Sequence, residues 1–233
     1  MSQNLPDFSN LSICVIGDIM LDEYLHGATQ RISPEAPVPV VLKSAQNHCL
    51  GGAANVANNL AKLGIKASLA GILGEDEAGE TIRQALKAQG INDHCLYHGE
   101  AQTIHKLRIM SRSQQLLRID KEQPFSSQLS DQLISQLISQ LDHFDAIILS
   151  DYAKGTLQKL STLISAASAK GIPVIVDPKG QDFTKYTGAS AITPNLSEFE
   201  AIQGKSADNE TFNQKAQALK SELKLDALIV TLS

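Results

Sequence analysis

Short apolar segments rich in valine and isoleucine recur along the chain and alternate with longer segments of helical periodicity. The apolar segments are hydrophobic throughout, which is typical of strands buried on both faces of a sheet. We predict strands at residues 11–17, 65–73, 145–150, 172–176, 189–193 and 226–232. We predict helices at residues 53–63, 78–88, 127–141, 157–169 and 209–222. Because strands that alternate with helices form right-handed βαβ units, the pattern predicts an α/β fold with a mostly parallel sheet flanked by helices.

Two stretches, residues 38–43 and 103–120, are strand-like but have no crossover helix between neighbouring strands. In the second stretch the side chains alternate, with Leu107 and Ile109 on one face. Three cationic side chains are predicted on the opposite face, namely Lys106, Arg108 and Arg112. We therefore predict a small β-lid, within about residues 19–45 and 95–122, as part of a single domain that spans residues 1–233.

The composition argues against several classes of protein. Hydrophobic residues make up 42% of the 233 residues, which is enough to bury a core. The 20 Lys and Arg against 25 Asp and Glu give a net charge of −5, and only 4% of the residues are aromatic, which argues against nucleic-acid binding. No apolar run approaches the ~18–20 residues that span a bilayer. With three cysteines that are far apart and no secretory signal at the start, we expect a cytoplasmic protein that binds no membrane.

Polar side chains follow several of the predicted strands. In open α/β sheets the carboxyl ends of the strands meet at one edge, where ligands bind. Each residue alone is more often a turn or helix-cap residue, but together they predict a site. These residues are Asp18, Asp151, Lys154, Asp177, Lys179, Asn195, Ser197 and Glu198.

A pair of glycines, Gly51 and Gly52, stands at the start of a predicted helix. Glycines there let the backbone approach a ligand closely, and the first amides of the helix point outwards at its positive end. Asn55 adds a side-chain amide in the first turn. A mere turn is the alternative interpretation.

Residues 204–206 look like the end of a phosphate-binding P-loop, but the upstream glycine position holds Phe199.

Together these motifs resemble the ribokinase-like family of carbohydrate kinases. The resemblance depends on Gly17-Asp18 after the first strand, on residues 51–57 at a helix start, and on residues 195–198. Longer segments more narrowly resemble the heptose 7-phosphate kinase part of bifunctional heptose kinase/adenylyltransferases; they are residues 31–40, 106–108, 149–155 and 177–180. The resemblance covers essentially the whole chain and implies a three-layer α/β/α fold with a β-lid.

The resemblance implies that ATP phosphorylates D-glycero-β-D-manno-heptose 7-phosphate at C1 to the 1,7-bisphosphate, in the biosynthesis of ADP-heptose for the lipopolysaccharide core. It implies that the sugar hydroxyls are bound by Asp18, Gly51, Gly52 and Asn55. It implies that the 7-phosphate is bound by Lys106, Arg108 and Arg112. For ATP it implies Asn195, Leu196, Ser197 and Glu198, of which Asn195 and Glu198 would also organise Mg²⁺. The same substrate crevice is expected to be lined by Asp151, Lys154, Asp177 and Lys179.

One departure from the family is important. The family's catalytic base is an Asp in a Gly-Ala-Gly-Asp motif, and this motif does not occur in the chain. Because the chain stops at Ser233 directly after a predicted strand, we expect the base to lie beyond it and this chain alone to be inactive. The His-x-Gly-His motif of the adenylyltransferase is absent as well.

Two alternatives to the heptose kinase stay open. One is another ribokinase-like enzyme that acts on an unphosphorylated sugar or nucleoside, and the other is a non-catalytic fragment that binds a sugar phosphate. The strands of the lid are expected to have open edges, which proteins usually cover or pair. As in related kinases, we expect a homodimer in which two lids pack together.

Overall fold

The computed structural model of the protein describes residues 6–232. Its strands are β1 (Ser12–Gly17), β2 (Ile19–Ile32), β3 (Pro39–Gly52), β4 (Lys66–Ala70), β5 (Ile72–Gly74), β6 (Asn92–Asp93), β7 (Leu96–His98), β8 (Ile104–Ser111), β9 (Gln114–Lys121), β10 (Ala146–Ser150), β11 (Val174–Asp177), β12 (Ala191–Ile192) and β13 (Ala227–Leu228). Its α-helices are α1 (Ala53–Lys62), α2 (Glu77–Ala88), α3 (Ser127–Ile138), α4 (Leu160–Ala169), α5 (Leu196–Gln203) and α6 (Asn209–Glu222). Short 3₁₀ helices cover Leu141–His143 and Thr184–Tyr186. Within residues 6–232, no helix has both the length and the apolar character that a membrane crossing requires.

The main sheet has seven strands in the order β13-β12-β11-β10-β1-β4-β6. All of its neighbouring strands run parallel. β1 lies inside the sheet, where Ile16 pairs with Leu149 of β10 on one side and with Ala70 of β4 on the other. The predicted α/β fold with a mostly parallel sheet is therefore confirmed.

Helices cover both faces of this sheet, and β1 shows how the sequence builds the two layers. Ile16 belongs to a buried cluster that contains Leu133 of α3 and Leu163 of α4. The preceding residue, Val15, belongs to a second cluster that contains Ile82 of α2. Because successive side chains of a strand point to opposite faces, one apolar strand supplies both cores. Each fully buried side chain of this size contributes about 1.5–3 kcal/mol.

A second, four-stranded sheet forms the lid, in the order β3-β2-β8-β9. Its pairing is mixed, because β2 runs antiparallel to β3 and parallel to β8, while β8 and β9 are antiparallel. The lid strands extend to Gly52, beyond the predicted limit at residue 45. Residues Leu96–His98, which the sequence placed in the lid, instead pair with β5 as a separate ribbon.

Three other elements differ from the sequence prediction. The strand predicted at residues 65–73 is divided at Gly71, where a Cβ atom would lie 2.6 Å from the carbonyl oxygen of Gly17. Helix α5 was not predicted, since its eight residues bury only Phe199 and show no clear periodicity. The last predicted strand is reduced to β13 and a single bridge between Asn195 and Thr231.

Gly17 closes β1 at a point where the neighbouring chain leaves no room for a side chain. A Cβ atom there would lie 2.0 Å from the carbonyl oxygen of Ser150 and 3.2 Å from the Cβ atom of Ala53. We expect Gly17→Ala to lower the free energy of unfolding by at least about 2 kcal/mol in urea denaturation. Gly99→Ala is the matched control, because a Cβ atom there would contact only a Glu75 side-chain oxygen at 3.4 Å. Equal losses in the two variants would contradict this packing.

Candidate active site

The carboxylate of Asp18 holds the loop that follows β10. It accepts hydrogen bonds from the backbone amides of Tyr152 at 2.8 Å, Lys154 at 3.1 Å and Thr156 at 3.2 Å. The bonds fix a loop in which Ala153 has φ 58°, a left-handed conformation that disfavours a residue with a Cβ atom. Asp18 is 0% exposed, so a sugar has no surface of this residue to bind. The predicted role of Asp18 as a sugar ligand therefore does not fit the structure, which makes it an anchor of the loop.

The glycine pair lets the end of β3 pass close to the corner between β1 and β2. A Cβ atom on Gly52 would lie 2.3 Å from the carbonyl oxygen of Asp18, and one on Gly51 would lie 2.4 Å from Oδ2 of Asp22. Gly52 has φ 55°, which favours glycine, and it is the N-cap of α1. Asn55 lies exposed in the first turn of that helix. The glycine pair therefore brings the backbone close to the carbonyl of Asp18 and to the carboxylate of Asp22.

Asp22 is a site residue that the sequence analysis missed. Its Oδ1 accepts a hydrogen bond of 2.6 Å from Nη1 of Arg108, whose guanidinium lies 5.1 Å from the centre of the Tyr24 ring. This hydrogen bond is the main cause that raises the pKa of Arg108 above its ordinary value, so the side chain stays charged. The alternation of side chains along β2 could have identified this residue, because Asp22 lies opposite Lys106 of β8.

The charged face of the lid touches the body of the protein. Nζ of Lys106 lies 3.6 Å from Oδ2 of Asp120 and 3.7 Å from Oε2 of Glu122. Nζ of Lys154, on the loop after β10, lies 2.6 Å from the other oxygen of Glu122. Lys106 and Lys154 therefore belong to one group of charges, although Lys106 lies on a strand of the lid and Lys154 on a loop of the body.

The prediction that Arg112 shares a strand face with Lys106 and Arg108 is wrong. β8 ends at Ser111, and Arg112 begins the turn to β9 with φ 54°. The ladder between the two strands also shifts its register after Ile109. Arg112 is exposed at the tip of this hairpin, because a turn breaks the alternation that a continuous strand would maintain.

Asp151 is also an anchor, and it is only 4% exposed. Its carboxylate accepts hydrogen bonds from the amide of Ala153 at 2.7 Å, the hydroxyl of Tyr186 at 2.7 Å and Nζ of Lys185 at 2.5 Å. Burial and the charge of Asp151 raise the pKa of Tyr186, so its hydroxyl keeps its proton. Lys185 was not predicted, because no sequence signal links the 3₁₀ turn that carries it to the strand end.

The carboxyl end of β11 and the start of α5 form the other side of the site. Nζ of Lys179 lies 2.8 Å from Oε1 of Glu198. Asn195 and Glu198 form a capping box, in which each side chain accepts a hydrogen bond from the backbone amide of the other. The pKa of Asp177 is raised, first by partial burial and then by the negative charges of Glu198 and Asp151, while Lys179 opposes the shift. Negative charge is thus in excess at this side.

These donors suit a Mg²⁺ ion that is held through water. Both oxygens of Glu198 and the amide oxygen of Asn195 already accept hydrogen bonds, so direct coordination by them would break existing contacts. Magnesium usually keeps several waters and takes few protein ligands. Among residues 6–232, no three His, Cys, Asp or Glu side chains are placed to form a metal site by themselves. Burial first, and then the charges of Glu198 and Asp151, raise the pKa of Asp177, and a cation bound nearby would favour its ionised form.

The two sides meet around Tyr152. Its pKa is raised by burial first and then by the charges of Asp177 and Asp22, and Lys179 opposes the shift. The amide of Asp151 donates a hydrogen bond to the carbonyl of Asp177 at 3.1 Å. The lid and the ends of β1, β10 and β11 therefore form one rim, which α5 extends, as the strand-end pattern predicts.

Three further predicted residues lie beside this rim. Leu196 donates its backbone amide to the carbonyl of Thr231 at 2.9 Å, and Ser197 is exposed in the first turn of α5. Asn55 makes no side-chain hydrogen bond to another residue in the described part of the chain. The structure thus brings most of the predicted residues together and leaves Asn55 and Ser197 on its solvent side.

Comparison with known proteins shows which family the chain resembles. A sequence model described as "pfkB family carbohydrate kinase" matches residues 10–233. The chain is 51% identical over 231 residues to "Bifunctional protein HldE" of Pseudomonas aeruginosa strain PAO1, covering 99% of this chain and 48% of that protein. It is 46% identical over 233 residues to the protein of the same name from Actinobacillus pleuropneumoniae serotype 5b, covering 100% and 49%. The chain therefore spans about half the length of these relatives.

Solved structures share the fold at low sequence identity. Phosphofructokinase-2 from Escherichia coli, in complex with fructose-6-phosphate, superposes with a TM-score of 0.73 at 22% identity, covering 96% of this chain and 74% of that one. Arabidopsis thaliana ribokinase, complexed with ribose and ATP, gives a TM-score of 0.68 at 20% identity, covering 94% and 71%. The ribokinase-like fold predicted from the sequence is thereby confirmed. With the match along residues 10–233, the chain belongs to the pfkB family of carbohydrate kinases.

Proposed function

We propose that this chain is the kinase part of a heptose kinase/adenylyltransferase and that it acts in ADP-heptose biosynthesis. The reaction transfers the terminal phosphoryl group of ATP to the C1 hydroxyl of D-glycero-β-D-manno-heptose 7-phosphate and yields the 1,7-bisphosphate and ADP. Support comes from the family and from the identity of about half to relatives named HldE along the whole chain. The observation that carries the proposal is the cluster of cations where the lid meets the body, which suits a sugar that already bears a phosphate.

The lid face would bind the 7-phosphate. Lys106 and Arg108 lie on this face, and Lys154 reaches it from the body through Glu122. The guanidinium of Arg108 offers a planar fork that can bind a phosphate with two hydrogen bonds. Arg108 is paired with Asp22, and Lys106 and Lys154 share Glu122, so the three cations outnumber these two carboxylates. A substrate phosphate would add the further anion that this group can bind.

The corner between Asp22 and the glycine pair would bind the sugar hydroxyls. The Asp22 side chain is 21% exposed, so one of its oxygens can accept a hydroxyl hydrogen while the other holds Arg108. Gly51 lies against this carboxylate and leaves space that a larger residue would fill. Asn55 is the further amide that we propose for the hydroxyls, on the solvent side of α1.

ATP would lie at the opposite side of the rim, next to residues 195–198. Lys179 is half-exposed and close to Glu198, so it can move to a phosphate of the nucleotide. Mg²⁺, held through water by Asn195 and Glu198, would neutralise charge on the phosphates. Phosphoryl transfer depends chiefly on such positioning and charge neutralisation.

The proton acceptor for the C1 hydroxyl is not assigned to any of the 233 residues, because they contain no Gly-Ala-Gly-Asp sequence. By the family resemblance, we propose that the base belongs to sequence that follows residue 233 in the gene. The adenylyltransferase activity would belong to the part of the relatives that this chain does not span. Activity is therefore best measured on the full-length gene product.

Replacement of Arg108 tests the substrate phosphate. In an assay of ADP release, we expect the full-length protein to use heptose 7-phosphate, and Arg108→Ala to raise KM for it about 10–100-fold. The reason is that a hydrogen bond to a charged group contributes about 1.5–3 kcal/mol. Arg83→Ala on α2 is the matched control, since it removes an arginine whose contact is Glu80, in the body.

Two results would contradict the proposal. If the wild-type protein releases no ADP with any phosphorylated sugar, the chain does not belong to a sugar-phosphate kinase. If it turns over an unphosphorylated sugar or nucleoside, and Arg108→Ala leaves KM unchanged, the substrate carries no phosphate at this position.

We also propose that two copies associate through their lids. The face of the lid opposite Arg108 is apolar, because Leu107 pairs with Ile119 and Ile109 pairs with Leu117. Leu117 and Ile119 are about half exposed, although side chains of this kind are usually covered. Both outer strands of the lid also have open edges in the described part of the chain. A second lid packed on this face would cover the apolar side chains.

A charge on the apolar face should separate the two copies. We expect light scattering to show a dimer of the wild-type protein at micromolar concentration and a monomer of Leu117→Asp, because burying an unpaired carboxylate is costly. Leu63→Asp is the control, since Leu63 is similarly exposed at the end of α1, outside the lid. A monomeric wild-type protein, or a Leu117→Asp variant that stays dimeric, would refute this association.

A further inference from the structure

Glu122 lies between two lysines that come from different parts of the molecule. It directly follows β9, the last strand of the lid. Its Oε1 accepts a hydrogen bond of 2.6 Å from Nζ of Lys154, on the loop after β10. Its Oε2 lies 3.7 Å from Nζ of Lys106, on β8. One carboxylate thus faces an ammonium group of the lid and an ammonium group of the body.

The distance between Oε2 of Glu122 and Nζ of Lys106 is longer than that of a hydrogen bond. Oε2 of Glu122 is closed to solvent and has no hydrogen-bond partner among residues 6–232. A buried carboxylate oxygen without a partner is unfavourable, and Lys106 is the cation beside it. Lys106 pairs with Asp120, two residues before Glu122, so a shift of about 1 Å in either side chain would complete a charge-assisted hydrogen bond. Glu122 therefore connects a lysine of the lid with a lysine of the body.

The body side of this contact is firmly held. The amide of Lys154 donates to Asp18, and its carbonyl accepts a hydrogen bond of 2.9 Å from the amide of Phe125. A Cβ atom on Gly155 would lie 2.7 Å from the carbonyl oxygen of Phe125, so the two loops are packed tightly. Since Lys154 is fixed to β1 through Asp18, a change in the distance between Glu122 and Lys154 is a movement of the lid relative to the body.

Burial distinguishes this group from an ordinary surface ion pair. The side chains of Lys106, Lys154 and Glu122 are 16%, 27% and 30% exposed. Lys159 and Asp131, which form an exposed pair on the surface, are 60% and 40% exposed. Charges that are partly shielded from water interact more strongly than fully exposed ones, so the bridge can influence the position of the lid.

We propose that Glu122 is a positioning residue that fastens the lid to the body through Lys106 and Lys154. It also holds both ammonium groups close together, although their like charges repel, so that a phosphate can bind to the pair. The part that concerns the substrate phosphate rests on the proposed function, whereas the fastening of the lid does not.

The test compares two isosteric variants of the full-length protein. Glu122→Gln keeps the shape of the side chain and removes its charge. Asp120→Asn is the control, because it removes a carboxylate 3.6 Å from Lys106 that has no ion pair with the body. In Glu122→Gln we expect hydrogen exchange of the β8 amides to be at least several-fold faster, and KM for heptose 7-phosphate to rise about tenfold with kcat changed less. Asp120→Asn should stay within about twofold of wild type in both measurements.

Each outcome decides the proposal. If hydrogen exchange of the β8 amides is unchanged in Glu122→Gln, the fastening is overturned. Lys154→Gln breaks the same bridge from its other end, so in that case it should also leave the exchange of these amides unchanged. A lower KM in Glu122→Gln overturns the positioning, because it means that the carboxylate competes with the phosphate. If the wild-type protein does not use the sugar phosphate, the proposed function fails, and the exchange of β8 still decides whether Glu122 holds the lid.

Discussion

Three hydrogen bonds from one loop to the buried carboxylate of Asp18 determine where the charged groups of the site lie. A carboxylate without such donors would be costly to bury, so the loop and the ion stabilise each other. The loop carries Lys154, which reaches Glu122 and through it the lid. It also carries Tyr152, whose pKa is raised by burial and then by the charges of Asp177 and Asp22. The body and the lid are thus connected through the end of β1.

Ion pairs lie at both ends of the rim, and their cations fit the proposed phosphoryl transfer. The lid side holds Lys106, Arg108 and Lys154 in ion pairs with carboxylates, whereas Asp177, Glu198 and Lys179 lie at the side of β11 and α5. The cations would suit the phosphate of the proposed sugar substrate, and the carboxylates would suit a nucleotide that brings a metal ion. Since the transferred group is itself highly charged, holding each phosphate in a matching environment is the main task of the protein.

How much of this the sequence predicts depends on the range of the interactions involved. The parallel sheet and the meeting of strand-end residues follow from local periodicity and from the geometry of βα units, and both are found in the structure. The anchoring role of Asp18 and Asp151 depends on loops that fold back over them, which no local pattern encodes. Asp22 was missed because the length of β2 was not predicted, and Arg112 was misplaced because a turn ends its strand.

The account depends on a phosphorylated sugar that binds between the lid and the body, beside the nucleotide. The most direct measurement is a crystal structure of the full-length protein with heptose 7-phosphate and a non-hydrolysable ATP analogue. The account predicts that the sugar phosphate lies within hydrogen-bond distance of Arg108 and Lys106, and that the nucleotide phosphates lie next to Lys179 and Glu198. A sugar phosphate bound away from the charged face of the lid, or a nucleotide away from α5, would contradict it.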